Sequence, residues 1–233
     1  LPLLMPRSVE RSKITDSVGI CSAICLSSTW TSLSPVRWAK SSEEAITAVR
    51  ELGQLRGGGD AVAMKVVSPS IVHKTDAGGV ILDVSPAEAA AVYAQLQHKQ
   101  DAHGVLVSPM IDNAIELLVG LSRDPQFGPV IAVGLGGIHA ETLQDVSLRI
   151  APIDGAEART MIDGLRGAAI LRGVRGNPPR DIAALAELLV GVSELPLRFP
   201  QLGELDLNPV FVLERGLKIA DVRIIPAENL TRP

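Results

Sequence analysis

The sequence predicts an α/β (α+β) fold built on mixed sheets, and three observations lead to it. Val, Ile, Leu and Ala gather in short runs bounded by Gly, Pro, Asn and Asp, the pattern of buried strands. Segments with helical spacing and recognisable N-terminal caps stand among those runs. No run reaches the ~18 apolar residues that a membrane-spanning helix needs, although mean hydropathy is +0.26. With 233 residues, 46% of them apolar and 21% charged, the chain suffices for one large domain or two subdomains with real cores.

Taken in order, residues 1–40 carry Arg7, Arg11 and Lys13 ahead of a Ser/Thr-rich run from Ser27 to Ser34. Glu10 and Asp16 interrupt them and no apolar stretch follows, so an atypical, disordered or mis-started segment is expected rather than a targeting peptide. Ser41 and Glu44 have capping-box spacing, and Ala45, Val49 and Leu52 then fall on one helical face. Glycines 57–59 break that helix, and Ala61 to Val67 reads as a buried strand. A polar loop, Ser68 to Gly78, leads into a second strand, Gly79 to Val84. Ser85-Pro86-Ala87-Glu88 opens a helix that runs to about Gln100. Strands follow at 104–108, 115–121 and 129–134, then a helix from Asp154 to about Leu165 and a longer one from Pro178-Pro179 to about Glu194. Strands 203–213 and 217–225 close the pattern across a turn at Glu214-Arg215-Gly216.

Net charge is −4 and the isoelectric point near 5.6, the opposite of the balance that a phosphate-binding nucleic-acid surface uses. Cys21 and Cys25 are the only cysteines, so no disulfide framework is implied and a cytoplasmic protein is expected. Aromatic content of 3% argues against an aromatic-rich binding face.

Three clusters could carry chemistry. In the first, Lys65 interrupts an apolar strand, where an ammonium must be paired or aimed at a ligand. Gly78-Gly79 downstream permits the close backbone approach of a phosphate cradle. The plainer reading is an edge lysine beside an ordinary hairpin turn. In the second, Asp206 and Asn208 lie two apart and so share a strand face, and Asp221 can join them across the hairpin. Such oxygen ligands suit Mg²⁺ held against phosphates, while the plainer reading is a solvated face with Asn208-Pro209 as a turn. The third is Glu116, a single acid in an apolar strand and a partner for Lys65. Of the four histidines, His98, His103 and His139 read as exposed or packing residues. His73 lies on the polar loop between Lys65 and Gly78-Gly79, where an imidazole could accept a phosphoryl group.

In this order the clusters resemble the ATP-grasp domain of the NDP-forming acyl-CoA synthetases, ADP-forming acetate–CoA ligase among them, and more distantly the succinyl-CoA synthetase β subunit. The likeness rests on Lys65 through Val80, on Glu116-Leu-Leu-Val-Gly120, on Arg123-Asp-Pro-Gln-Phe-Gly-Pro129, on Gly134-Leu-Gly-Gly-Ile-His-Ala-Glu141 and on Glu204-Leu-Asp-Leu-Asn-Pro209. It implies an ATP-grasp fold of two subdomains, about 41–111 and 112–226 with a tail at 227–233, and a nucleotide in the cleft between them. It implies a phosphoryl group passing by phosphohistidine, in the reaction acyl-CoA + ADP + phosphate ⇌ carboxylate + CoA + ATP. By the same resemblance Lys65, Gly78, Gly79, Ser108, Met110 and Glu116 bind ATP or ADP, Asn208 and Asp221 hold Mg²⁺ with Asp206 in support, and His73 and Lys65 are the catalytic pair.

The resemblance also implies partners. A CoA-binding Rossmann domain and a ligase domain with the primary phosphohistidine have no counterpart here, and no Gly-x-Gly-x-x-Gly fingerprint is present. An α subunit or fused domains must supply them, giving a hetero-oligomer or a longer fused protein. Two departures stand out: residues 1–40 lack the family's opening helix and strand, beyond an echo at Val18-Gly19-Ile20, and Gln54 to Asp60 is long and glycine-rich. An altered upstream reading frame or truncated start is the expected reason for the first. A non-catalytic nucleotide-sensing module, like those fused to some protein acetyltransferases, is the alternative function, and an inactive structural subunit a third. The persistence of Lys65, His73, Asn208 and Asp221 favours catalysis.

Overall fold

The computed structural model describes residues 31–54, 61–68, 70, 77–137, 145–174 and 176–227. The chain divides into two compact units, a small one over Ser34–Asp112 and a large one that takes in Leu33 and the described residues from Asn113 onward.

The small unit is a four-stranded antiparallel sheet in the order β2-β5-β3-β4, formed by β2 (Arg37–Ala39), β3 (Val62–Val67), β4 (Val80–Val84) and β5 (Gly104–Pro109). Helices α1 (Ser42–Gly53) and α2 (Ala89–Gln97) supply Ala45, Val49, Leu52 and Leu96 to a core with Met64, Val66, Val105 and Val107. Helix α1 starts as its sequence requires: the Ser41 hydroxyl accepts from the Glu44 amide at 3.1 Å, and the Glu44 carboxylate accepts from the Lys40 amide at 2.7 Å. Helix α2 is shorter than its sequence suggests. Glu88 reaches back to Ser85 as a capping box would, but the Glu88 amide bonds the Ser85 carbonyl at 3.1 Å. That tight three-residue turn delays the helix to Ala89.

The large unit holds a seven-stranded mixed sheet, with strands β1 (Thr31–Leu33), β6 (Ile115–Asp124), β7 (Gly128–Leu135), β8 (Val146–Ile150), β9 (Leu202–Val212), β10 (Leu217–Ile219) and β11 (Val222–Pro226). The order is β1-β10-β9-β6-β7-β8, with β11 also on β9, and the β1–β10 pair alone is parallel. Alternation sets the two faces of the sheet. Leu117, Val119 and Leu121 of β6, Ile131, Val133 and Leu135 of β7, and Leu205 and Leu207 of β9 enter one core with helices α3 (Gly155–Asp163), α4 (Ala168–Leu171) and α5 (Ile182–Arg198). The residues between them, Glu116, Gly120, Ala132, Glu204 and Asp206, stand on the opposite, open face.

Strands β1 and β2 fall inside the segment 1–40, for which no element was expected, and β8 and α4 were not expected either. The terminal strand expected at 217–225 is two strands, broken at Ala220-Asp221.

A buried carboxylate ties the sheet to the helical layer. Asp145 is 5% exposed, and its two oxygens accept from the Arg166 and Gly167 amides, each at 2.8 Å. A side chain at Gly167 would meet Leu135, since a Cβ there would lie 2.3 Å from Leu135 Cδ1. Asp145→Ala strands two amide donors and is expected to cost about 3 kcal/mol, read as a lower urea midpoint with an unchanged slope.

Candidate functional site

In the small unit Lys65 is half-buried on the side of β3 opposite the core residues Met64 and Val66. Its register partners are Val80 on β4 and Leu106 on β5. Ser108, buried at 5% exposure, pairs with Ala63 and so shares that side, and Met110 is half-buried just beyond β5. The glycine pair lies beside the lysine, because the Gly79 carbonyl accepts from the Val66 amide at 2.8 Å. Gly78 has φ +61, which L side chains rarely adopt, and beside it Lys99 Nζ donates to the Ala77 carbonyl at 2.8 Å. Lys99 is a cation at this turn that sequence reading did not single out. His73 lies outside the described residues.

In the large unit the acidic cluster sits on β9 where the strand changes phase. Leu117 pairs with Val210 and Val119 with Leu207, so Asn208 and Pro209 together face one residue of β6. This is a β-bulge, which re-aims a side chain at the cost of a local ladder bond. On the other flank β9 faces the break between β10 and β11, where the Asn208 amide donates to the Asp221 carbonyl at 3.3 Å and the Ala220 amide to the Pro209 carbonyl at 3.1 Å. Asn208 is exposed, Asp206 and Asp221 half-buried, and Asp221 Oδ1 accepts from the Val222 amide at 3.0 Å. Asp206, Asn208 and Asp221 are thus brought together. Glu116 is exposed on the same open face. Gly136 donates to its carbonyl at 2.8 Å, and Gly137, at φ +64, would place a Cβ 3.1 Å from Glu116 Oε2. Lys65, the partner expected for Glu116, belongs to the other unit.

Burial raises the pKa of Asp206 above the ordinary aspartate value, and the neighbouring Glu204 and Asp221 carboxylates push the same way, while Arg223, opposite it on β11, pulls back. Beside Asp206 is a depression of about 200 Å³, lined by Gly120, Ala132, Leu148 and Glu204 among others. Among the described residues no three Asp, Glu, His or Cys side chains converge into a ready-made metal cage. An ion here would draw on two carboxylates and the Asn208 amide and take its other oxygens from ligand and water, the habit of Mg²⁺. The surplus of acids over the single Arg223 favours a cation of that kind. Arg223 and Phe211, both on the open face by register, were missed in the sequence, although alternation about Val222/Ile224 and Val210/Val212 marks them.

Residues 22–225 match the family model described as an ATP-grasp domain. The chain is 42% identical over 195 residues to the β subunit of acetate–CoA ligase [ADP-forming] I of Pyrococcus furiosus, an alignment covering 80% of this chain and 82% of that subunit. It is 45% identical over 179 residues to acetate–CoA ligase [ADP-forming] I of Archaeoglobus fulgidus, covering 74% of this chain but 26% of that protein. Among solved structures, the dinucleotide-forming acetyl-coenzyme A synthetase 1 of Ca. Korarchaeum cryptofilum, in complex with coenzyme A, Ca-AMPCP and HgCl+, superposes with a TM-score of 0.77 at 35% identity over 90% of both chains. A second structure of that enzyme, with coenzyme A and Mg-AMPPCP, has a TM-score of 0.69 at 33% identity, over 93% of this chain and 90% of that one.

A carboxylate with a raised folded-state pKa lowers stability when ionised, and the penalty vanishes once pH falls below the ordinary value, where folded and unfolded chains are both protonated. Asp206→Asn is therefore expected to raise the melting temperature by roughly 1–3 °C at pH 8. The gain should shrink as pH drops from the raised pKa of Asp206 towards 3.8, as thermal melts across that range would show.

Proposed function

The chain belongs to the ATP-grasp family of the ADP-forming acyl-CoA synthetases, and from that premise we propose that it is their nucleotide-handling component. In this reading it binds Mg-ATP or Mg-ADP and takes part in acyl-CoA + ADP + phosphate ⇌ carboxylate + CoA + ATP. The observation that carries the reading is the meeting of Asn208 and Asp221 at the β9 bulge, beside a carboxylate already crowded with negative charge.

Each unit supplies its own share. On β3, Lys65 offers an ammonium to the phosphates, and the backbone at Gly78-Gly79 can approach them closely because no Cβ intervenes. Ser108 and Met110, at the end of β5, and Glu116, at the start of β6, orient the nucleoside. Asn208 and Asp221 hold Mg²⁺, and Asp206 keeps the local potential negative. Bound there, Mg²⁺ would neutralise charge on the phosphate oxygens. His73 is the residue that takes the phosphoryl group on an imidazole nitrogen, the nucleoside diphosphate leaving. Phosphoryl transfer is chiefly positioning and charge neutralisation, which these groups can provide.

The chain spans about four-fifths of the separate β subunits but only about a quarter of the single-chain ligases it matches. A CoA-binding and ligase partner, as an α subunit or as fused domains with the primary phosphohistidine, is accordingly part of the proposal. No helix among the described residues is long and apolar enough to cross a membrane. The cytoplasm, where ATP and CoA meet, is the proposed location.

Calorimetric titration of ATP into the purified chain tests this. Binding should require Mg²⁺ and weaken at least about tenfold in Asn208→Ala, the loss of one charge-assisted ligand. Lys65→Met should weaken Mg-ATP binding as well, by removing an ammonium from the phosphates. A folded wild-type chain that binds no Mg-ATP would sink the reading. Labelled phosphate on His73, removed in His73→Asn, would separate a catalytic component from a nucleotide-sensing module.

A further inference from the structure

The edge of the large sheet carries an apolar row that the phosphate and metal roles do not use. Strand β8 pairs with β7 without a break in register, from Val130 opposite Ile150 to Gly134 opposite Val146. Among the described residues no strand pairs with its other side. Val146, Leu148 and Ile150 are exposed on the open face, and Val130 and Ala132 of β7 continue the apolar surface. Sheet edges are usually blunted by proline, a bulge or several charges. Between Val146 and Ile150 there is no proline and no bulge, and Arg149 is the one charge.

The backbone of the same three residues is turned outward. The Ala151 amide donates to the Pro129 carbonyl at 2.8 Å and the Leu135 amide to the Asp145 carbonyl at 3.2 Å. In an antiparallel ladder alternate residues bond across the pair, so Asp145, Ser147, Arg149 and Ala151 spend their backbone groups on β7. Val146, Leu148 and Ile150 hold theirs to the free side. The Leu148 carbonyl bears this out: its donor is Arg149 Nη1, at 2.7 Å, from a side chain folded back onto its own strand. The residue pattern is also symmetric about Leu148. Run antiparallel to a copy of itself, β8 sets Leu148 against Leu148, Val146 against Ile150 and Ser147 against Arg149. Apolar then meets apolar, and a hydroxyl meets the cation. A two-fold contact needs such self-complementarity, whereas pairing with a foreign strand does not.

We infer that β8 is a self-association edge, which takes the β8 strand of a second copy of this chain about a two-fold axis at Leu148. Pairing forms about six ladder bonds and joins the two sheets edge to edge, with the aliphatic rows of both copies side by side on one face. Arg149 yields the Leu148 carbonyl to the amide of the copy's Leu148 and turns to the copy's Ser147. One strand pair covers less than the roughly 1,200 Å² of a stable interface, so the association is weak and rises with concentration. The inference does not depend on the Mg-nucleotide reading, because it uses only the edge of the sheet.

Sedimentation equilibrium and cysteine cross-linking of the purified chain test this. The mass of the wild-type chain should rise from monomer towards dimer with concentration. Leu148→Glu, which opposes two carboxylates at the axis, should weaken that association at least about tenfold. In a chain carrying Cys21→Ser and Cys25→Ser, Leu148→Cys brings two thiols to the axis with Cα atoms about 5.5 Å apart, a separation that a disulfide spans. Mild oxidation should then give a covalent dimer. Ser147→Cys, whose two copies stand diagonally about 7–8 Å apart, should give it at least several-fold more slowly. A chain that stays monomeric at every concentration would overturn the assignment. So would an association that a Leu148→Glu variant with native circular dichroism retains, or cross-linking as fast at position 147 as at 148. Should Leu148→Glu not fold, the two cross-linking rates decide alone. A chain that is monomeric by itself, but loses a purified CoA-ligase partner in Leu148→Glu, gives the edge to that partner and removes the copy.

Discussion

The two-sidedness of the large sheet is the constraint on which the rest depends. Once Leu117, Val119, Leu121, Leu205 and Leu207 are committed to the core beneath α3 and α5, period-two geometry turns Glu116, Gly120, Glu204 and Asp206 the other way. The apolar steps along β9, at 205, 207, 210 and 212, include one odd interval. An unbroken ladder would carry Val210 to the open face and Phe211 into the core. The extra residue at Asn208-Pro209 absorbs the odd step, and the same device opens the ladder where Asp221 enters. Packing and site geometry thus have one cause.

Much of this was legible. The step from Leu207 to Val210 is visible in the sequence as a broken alternation, and Asp206, Asn208 and Asp221 could be grouped from spacing alone. Helix α1 was fixed by Ser41 and Glu44, which make the bonds their spacing calls for. Strand β8 was not legible, for a physical reason. Its apolar residues Val146, Leu148 and Ile150 are 47%, 56% and 57% exposed, while Ser147 and Arg149 stand opposite the core residues Val133 and Ile131. The alternation is regular, but its apolar side faces away from the core, so in this edge strand the pattern marks no buried face. Helix α4, with four residues, is too short for one.

Within the site, legibility followed the kind of evidence each residue needs. Lys65 and Gly78-Gly79 stood out as residues that fit their surroundings poorly, and the structure makes them neighbours through the Val66–Gly79 bond. Arg223 and Phe211 were passed over because an arginine reads as solvated and a phenylalanine as core. Only cross-strand register gives either a meaning, the one opposite Asp206 and the other between Glu116 and Lys218. The pairing of Lys65 with Glu116 expected from the sequence is of a different order, since the two residues lie in different units and no spacing along the chain encodes it. The role of His73 rests on family resemblance.

Two aspartates of the large unit show how a structural acid differs from one proposed to serve a ligand. Asp145 is nearly inaccessible, yet both of its oxygens accept from main-chain amides at 2.8 Å, so the chain supplies all that the carboxylate needs and nothing remains for a ligand. Asp206 is only half-buried, yet its surroundings add two more carboxylates and one arginine, which leaves its charge poorly compensated by the chain. Burial therefore does not separate the two; the balance of donors does. A fold that places acids beside one another loses stability as their charges repel, and a cation from outside the chain relieves that cost. In the proposed function that cation is Mg²⁺ with the oxygens of a phosphate, and the bulge at Asn208 is where an amide and a second carboxylate would meet it.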